Sequence, residues 1–402
     1  MVFLGMRWRV GAVLLLIVVA LAVWNYLRPI PAVAATAALP GTEVVPGTPP
    51  PLPWPGVGSA AVGASGLGFI ASSGNEQARP AASVTKVMTA LILLEDKPLQ
   101  RGEDGPALTL TDADVQTYQA DLAQNQSVVA VEAGEVLTEY QALEGMLIPS
   151  GNNLAETLAR WDAGSVEAFV TKMNDRASKL HLAHTRFADP SGFSPASVST
   201  PSDLMTLGMV AMNQAVFADI VAMGAADLPV AGTVYNVDAA LGQDGIVGIK
   251  TGSGLSLGAN FLFAANVTVD GRQIVIFGCV MGEPTLALAF SRAKALISAV
   301  KPALHVRRVI ARNQSIATYS FPWGPQTDLI SAVDVDVVEW PSMVLRQRLT
   351  ANQVVVDHPL NAGMQEGSEH LSLGDYSLDV PLVTADPVYP PGRFWRLTRL
   401  SF

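Results

Sequence analysis

Cysteine is almost missing: among 402 residues there is one, Cys279. A lone thiol excludes an internal disulfide and any multi-cysteine zinc site. It lies in the apolar run Ile274 to Val280 and is read as a core residue. Charge is sparse, at 15% of residues against 50% hydrophobic, which excludes general disorder and leaves ample material for a core. Basic residues are in deficit, 25 Lys and Arg against 35 Asp and Glu. A formal charge of −10 disfavours a nucleic-acid partner, and no dense basic run offsets it. Histidine is scarce. His305, His358 and His370 fall near the C-terminus, so no Ser/His/Asp triad is visible. His181 and His184 are three apart but lack a third ligand nearby, and are read as surface residues rather than a metal site. No internal repeat is evident.

One long apolar run is present. Arg7 and Arg9 precede an uncharged stretch from Val10 to Leu27, long enough to span a bilayer as a helix. The arginines favour leaving the N-terminal end in the cytoplasm, and Trp24 and Tyr26 suit the far interface. The competing reading is a cleaved signal peptide with Ala32-Val33-Ala34 as cleavage site. The anchor is preferred, because that site lies far from the apolar run. Both readings export the rest of the chain across the membrane. Residues 1–30 are therefore read as anchor or signal. Residues 31–58, with Pro49-Pro50-Pro51 and Pro53-Trp54-Pro55, are read as a stiff extended linker holding the remainder off the membrane.

Residues 59–302 read as mixed α and β. A strand pair is expected near Ser59 to Ile70, with its turn at Ser72-Ser73-Gly74-Asn75. Val84 to Leu94 is apolar all round a helical wheel and predicts a buried helix. Thr138-Glu139-Tyr140-Gln141 is a capping box opening a helix toward Leu147. Further helices are expected from about Asn153, from Val166 to Leu180, and after Thr200-Pro201-Ser202-Asp203. Asn260 to Val269 and Gln273 to Met281 predict two strands joined at Asp270-Gly271, and Leu286 to Val300 a helix. Residues 303–402 alternate apolar and polar in short segments and predict a small all-β domain. The tail Arg393 to Leu400 is read as a final strand rather than an amphipathic helix.

Three short motifs carry chemistry: Ser83-Val84-Thr85-Lys86, Ser150-Gly151-Asn152 and Lys250-Thr251-Gly252. Each is weak alone. Ser291-Arg292-Ala293-Lys294 matches the first, and Ser73-Gly74-Asn75 the second. Only one set runs in this order with domain-sized gaps. Ser83 and Lys86 are three apart and share a helix face. A hydroxyl attacks only when its proton is taken, and an ordinary lysine stays protonated. Burial and a second positive charge, from Lys250, lower that affinity. A drop of about three units corresponds to roughly 4 kcal/mol. The Ser83 N–H at a helix start, with that of Ser253, fits an oxyanion. Lys250 with the Thr251 and Ser253 hydroxyls fits a terminal carboxylate. Ser150 fits a proton relay, and Asn152 a substrate amide or the positioning of Lys86.

These motifs and their flanks, Ala81 to Ala90, Gly134 to Leu137, Ile148 to Asn153 and Phe187 to Phe193, resemble the serine D-Ala-D-Ala carboxypeptidases of the low-molecular-mass penicillin-binding proteins. The resemblance covers about residues 60–300 and continues faintly to the end. It implies a penicillin-binding-protein/β-lactamase-like α+β catalytic domain, with an antiparallel sheet and helical subdomain, followed by a small β domain. It implies Ser83 as nucleophile, Lys86 as base, Ser150 and Asn152 as second motif, and Lys250, Thr251 and Gly252 as third. Peptidoglycan stem peptides are the implied substrates and β-lactams the covalent inhibitors, with no cofactor and no metal. Two positions depart from the pattern. Asn153 stands where relatives commonly have Asp, and Ser253-Gly254 where they often have an aromatic residue or His and then Thr. Two rivals are a class A β-lactamase, against which the lack of glutamate from His184 to Pro201 counts, and a non-hydrolysing wall-binding or β-lactam-sensing module.

Overall fold

A computed structural model describes residues 2–74, 76–254 and 258–399. They form two units: Pro46–Val306 with Val338–Ser342, and Met1–Val45 with Arg307–Val337 and Met343–Phe402.

The first unit is built on a five-stranded antiparallel sheet. Its order is Ile246–Gly254, Gly258–Val269, Arg272–Glu283, Ser59–Ala64, Gly68–Ser72. The period-2 alternation of strands sends successive side chains to opposite faces. Phe261 meets Phe290 of the helix Leu286–Val300 edge-on, with ring centroids 4.8 Å apart. Leu262, its neighbour, faces the helix Pro201–Ala211 instead, where a Cβ on Gly208 would lie 3.0 Å from it. One helix therefore covers each face. Cys279 pairs with Leu262 in the ladder and is buried in the helix-facing core.

A helical cluster sits around Lys86–Asp96, whose residues Lys86 to Leu94 are all buried. Glu139–Leu147 opens on the expected capping box. The Thr138 hydroxyl accepts from Gln141 N–H, and the Gln141 side chain accepts from Thr138 N–H. Asn152–Ala163 and Val166–Lys179 follow the two expected stripes, and Thr200 caps Pro201–Ala211. The second Ser-x-x-Lys match lies within Leu286–Val300, with Ser291 exposed to solvent.

Three local expectations differ from the structure. The hairpin of Ser59–Ala64 and Gly68–Ser72 turns at Ser65-Gly66-Leu67, not at Ser72-Ser73-Gly74-Asn75. Gly66 and Gly68 take the left-handed backbone that the tight turn needs. Asn75 lies outside the described residues.

The tail Arg393–Thr398 is helical rather than extended. The reason is at the C-terminal end of the apolar helix Val2–Leu27, whose last carbonyls have no intrahelical partners. The Arg399 guanidinium donates to Asn25 O at 2.7 Å and Pro29 O at 2.9 Å, and Arg396 stacks over the Tyr26 ring.

Part of the stretch read as a linker is built into the second unit. Its seven-stranded sheet runs Thr36–Ala37, Ser315–Ser320, Gln326–Ser331, Tyr376–Thr384, Gln365–Leu373, Val344–Ala351, Thr42–Val44. Both edges are supplied by the segment after the apolar helix. Open strand edges offer unpaired backbone groups, and this segment covers them.

Candidate active site

The nucleophile candidate sits on a tight turn. Ala82–Thr85 is a single 3-10 turn that runs into the α-helix at Lys86, so Ser83 and Lys86 remain one turn apart. Ala82 has φ 48°, a left-handed conformation that non-glycine residues seldom take. Neighbours hold it there. Asn260, fully buried in the sheet, donates from Nδ2 to Pro80 O at 2.9 Å and Ala81 O at 3.1 Å. Its Oδ1 accepts from Gly282 N–H at 2.9 Å. Gly192, at φ 80°, packs so closely that a Cβ there would collide with Ala82 O.

Lys86 is fully buried, and its Nζ meets three oxygens. Ser83 Oγ is at 2.9 Å, Asn152 Oδ1 at 2.5 Å and Ser191 O at 2.8 Å. Two of these are carbonyl oxygens, which only accept. A neutral amine has two N–H bonds and one lone pair. With both N–H bonds spent on the carbonyls, the lone pair is left for the Ser83 hydroxyl proton. Electrostatics favour that state. Burial, and after it the charge of Lys250, pushes the Lys86 ammonium well below the usual lysine range, while Asp189 and Asp121 pull it up.

The second motif forms a strained corner between helices. Ser150 has φ 68°, and its buried Oγ has no hydrogen-bond partner among the described residues. Gly151 N–H reaches back to Gly145 O at 3.1 Å, where a Cβ on Gly151 would come within 2.8 Å of that oxygen. Asn152 opens the helix Asn152–Ala163. Its N–H donates to Ser127 O at 2.8 Å and its Nδ2 to Gln126 Oε1 at 2.6 Å. Asn153 pairs with the backbone of Val129, accepting from its N–H at 3.0 Å and donating to its O at 2.9 Å. That pairing needs both a donor and an acceptor, which a carboxylate lacks; it accounts for asparagine at this position.

The third motif lies on the edge strand Ile246–Gly254. A Cβ on Gly252 would stand 3.0 Å from both Ser83 N and Ala81 O, so the bare glycine brings this strand against the nucleophile turn. Lys250 and Thr251 are buried, and Ser253 is exposed at the strand end. Lys250 Nζ donates to Thr251 O at 3.3 Å. Burial lowers the Lys250 pKa to about 7, with Asp238 opposing. Asp238 in turn is raised by burial to about 6, with one carboxylate oxygen unpartnered.

The structure thus joins Ser83, Lys86 and Asn152 by direct hydrogen bonds and lays Gly252 against them. Lys250 acts on Lys86 through charge. Gln126 and the Ser191 carbonyl also contribute. Neither is visible as a motif, since one is an ordinary loop glutamine and the other a backbone atom. The loop carrying Ser191 is organised by Asp189, whose carboxylate accepts from Gly192 N–H, Ser194 N–H and the hydroxyls of Ser191 and Ser197. A resemblance in Phe187 to Phe193 was its only trace in the sequence.

A serine hydroxyl hydrogen-bonded to a buried amine beside an edge strand is the arrangement of a serine-type hydrolase. Residues 65–285 match the D-alanyl-D-alanine carboxypeptidase family, peptidase S11, and the chain belongs to it. The D-alanyl-D-alanine carboxypeptidase DacB2 of Mycobacterium tuberculosis is 33% identical over 222 residues, 52% of this chain and 70% of that protein. Among solved structures, the Streptomyces K15 DD-transpeptidase is similar with a TM-score of 0.54 and 27% identity, covering 63% of this chain and 98% of its own. Penicillin-binding protein 5 of Haemophilus influenzae shares the fold over 85% of this chain and 99% of its own, with a TM-score of 0.61 and 18% identity. The α+β architecture is that of the penicillin-binding proteins.

Proposed function

We propose that this serine-type D-Ala-D-Ala carboxypeptidase, an enzyme of peptidoglycan metabolism, works through an acyl-enzyme on Ser83. Neutral Lys86 takes the Ser83 proton as Oγ attacks the penultimate D-Ala carbonyl of a stem pentapeptide. The oxyanion that forms is held by the N–H groups of Ser83 and Ser253; the close approach at Gly252 supports their convergence. Lys250, Thr251 and Ser253 hold the terminal carboxylate. As the C–N bond breaks, Ser150 relays the proton that Lys86 took from Ser83 to the leaving amine; among the described residues no hydrogen-bond partner competes for its hydroxyl. Asn152 fixes Lys86 and the substrate amide. Water then releases the shortened peptide and restores Ser83. A β-lactam acylates the same oxygen by ring opening.

One observation carries this reading: Lys86 Nζ stands 2.9 Å from Ser83 Oγ with its other two directions taken by carbonyl acceptors. The test is labelling with a fluorescent penicillin together with D-Ala release from a pentapeptide. Wild type is expected to label and to release D-Ala, and Ser83→Ala to do neither while retaining its thermal transition. Label in the Ser83→Ala protein would remove Ser83 from the role. Binding without release would make the chain a wall-binding module, and rapid loss of the penicillin adduct a β-lactamase; the residues from His184 to Pro201 include no glutamate to drive that turnover.

We further propose that the helix portion Trp8–Leu27, exposed and long and apolar enough to cross a bilayer, keeps the enzyme at the outer face of the cell membrane. Retention of the full chain in the membrane fraction after alkaline wash supports this; release of a form beginning near Ala35 would favour the cleaved signal.

A further inference from the structure

We propose that Gln126 is a positioning residue for acylation: its side-chain carbonyl holds the Asn152 amide in the one orientation that offers Lys86 an acceptor. This rests on the roles given above to Ser83 and Lys86.

An asparagine amide has an acceptor end and a donor end of nearly equal size, so its orientation is set by what it meets. Asn152 is buried, with Lys86 on one side and Gln126 on the other. Its Oδ1 accepts from Lys86, and its Nδ2 donates to Gln126 Oε1 at 2.6 Å. Turned by half a rotation, the amide would point N–H bonds at the lysine. A protonated Lys86 would then face donor against donor. A neutral Lys86 would accept from Nδ2 with its lone pair, the same lone pair that the Ser83 hydroxyl needs. Either way the base leaves its nucleophile. Only an acceptor on the far side of Asn152 makes the productive orientation the cheaper one, because a buried Nδ2 without a partner is costly.

The backbone of Gln126 is well held. Its N–H donates to Asp121 O at 3.0 Å, the next residue accepts from Asn152 N–H at 2.8 Å, and Val129 is paired with the Asn153 side chain. Segment 126–129 and the first turn of Asn152–Ala163 therefore form one hydrogen-bonded block. Among the described residues Gln126 is not a hydrogen-bond partner of Lys86 or Ser83, so its effect on them runs through Asn152. The charged groups bearing on Lys86 are Lys250, Asp189 and Asp121, and none of them is altered by a change at Gln126.

The test measures the second-order rate of acylation by a fluorescent penicillin across the pH range, with thermal unfolding in parallel, on the full chain. Gln126→Met keeps the length and removes the acceptor. Gln126→Glu keeps the acceptor and adds a negative charge. Acylation is expected to fall about tenfold to hundredfold in Gln126→Met at neutral pH, as small misplacements of reacting groups do. Gln126→Glu is expected to recover the plateau rate with its acid limb moved to higher pH, since added negative charge favours protonated Lys86. Wild-type rates in Gln126→Met overturn the inference. So do equal losses in both variants with an unmoved pH profile, the mark of a merely structural residue. Should Gln126→Met fail to fold, Gln126→Glu decides: an unmoved acid limb or an unrecovered plateau overturns it. If wild type itself does not label on Ser83, the functional reading fails first, and that result is separate from all of these.

Discussion

At the scale of single residues, the site depends on keeping two lysines out of water and close enough to repel. Burial lowers the charge on each, and the charge of Lys250 lowers that on Lys86 further. In the mechanism proposed above, Lys250, lowered to about 7, is the lysine that carries charge, and Lys86, pushed well below the usual range by burial and by Lys250, is the base. The pH dependence follows. As pH rises through about 7, Lys250 loses the proton that, in the proposed mechanism, it offers to a substrate carboxylate. The kcat/KM for a peptide ending in D-Ala-D-Ala, which reports the free enzyme, is therefore expected to fall on its alkaline side from about that pH. Lys250→Arg, whose guanidinium stays charged, is expected to carry that limb to higher pH; an unmoved limb assigns it to another group. The sign for stability is separate. The unfolded lysine titrates near ~10.4. Between about 7 and that value the unfolded chain binds the extra proton, so this group's contribution to stability rises with pH across the window.

At the scale of elements, the turn that carries Ser83 is shaped by what presses on it rather than by its own sequence. Ala82 holds a left-handed backbone because the sheet, through Asn260, and the loop at Gly192 leave no alternative. Gly192 combines a positive φ with contact to the Ala82 carbonyl, so both conformation and space forbid a side chain. Gly192→Ala is expected to cost roughly 2–4 kcal/mol of stability and to slow penicillin acylation well beyond what that loss alone explains. Denaturant unfolding and acylation rates on the same preparation check this. A stable variant with a wild-type rate would show that the loop does not set the turn. The Ser-x-x-Lys match on Leu286–Val300 makes the contrast. The same residue types stand at the same spacing, yet Ser291 is exposed mid-helix and Lys294 donates instead to the surface residue Gln243.

At the scale of the whole molecule, the chain closes its C-terminal sheet with its own N-terminal segment. Thr36–Ala37 covers one edge and Thr42–Val44 the other, with Arg399 clasping the end of the apolar helix. A form beginning at residue 46 lacks both edge strands. It is expected to aggregate or to lose the transition of the β unit, whereas a form beginning at residue 31 keeps both strands and should remain soluble. Light scattering and thermal unfolding of the two forms compare them directly. Equal behaviour would mean that the edges need no cover.

The sequence by itself determined the family and most of the elements. The residues proposed for the site, Ser83, Lys86, Ser150, Asn152 and Lys250, were legible as three ordered motifs because the reaction proposed needs those functional groups. The helices and the long hairpin were legible because hydrophobic period and capping are local properties. Only the tertiary structure decided what depends on groups distant along the chain. It assigned the Ser191 carbonyl and the Gln126 side chain to the environment of Lys86, turned the tail into a helix against Asn25 and Pro29, and placed the post-anchor strands on a sheet formed by the other end of the chain. A backbone carbonyl has no letter in a sequence, and a strand edge has no partner until the fold supplies one.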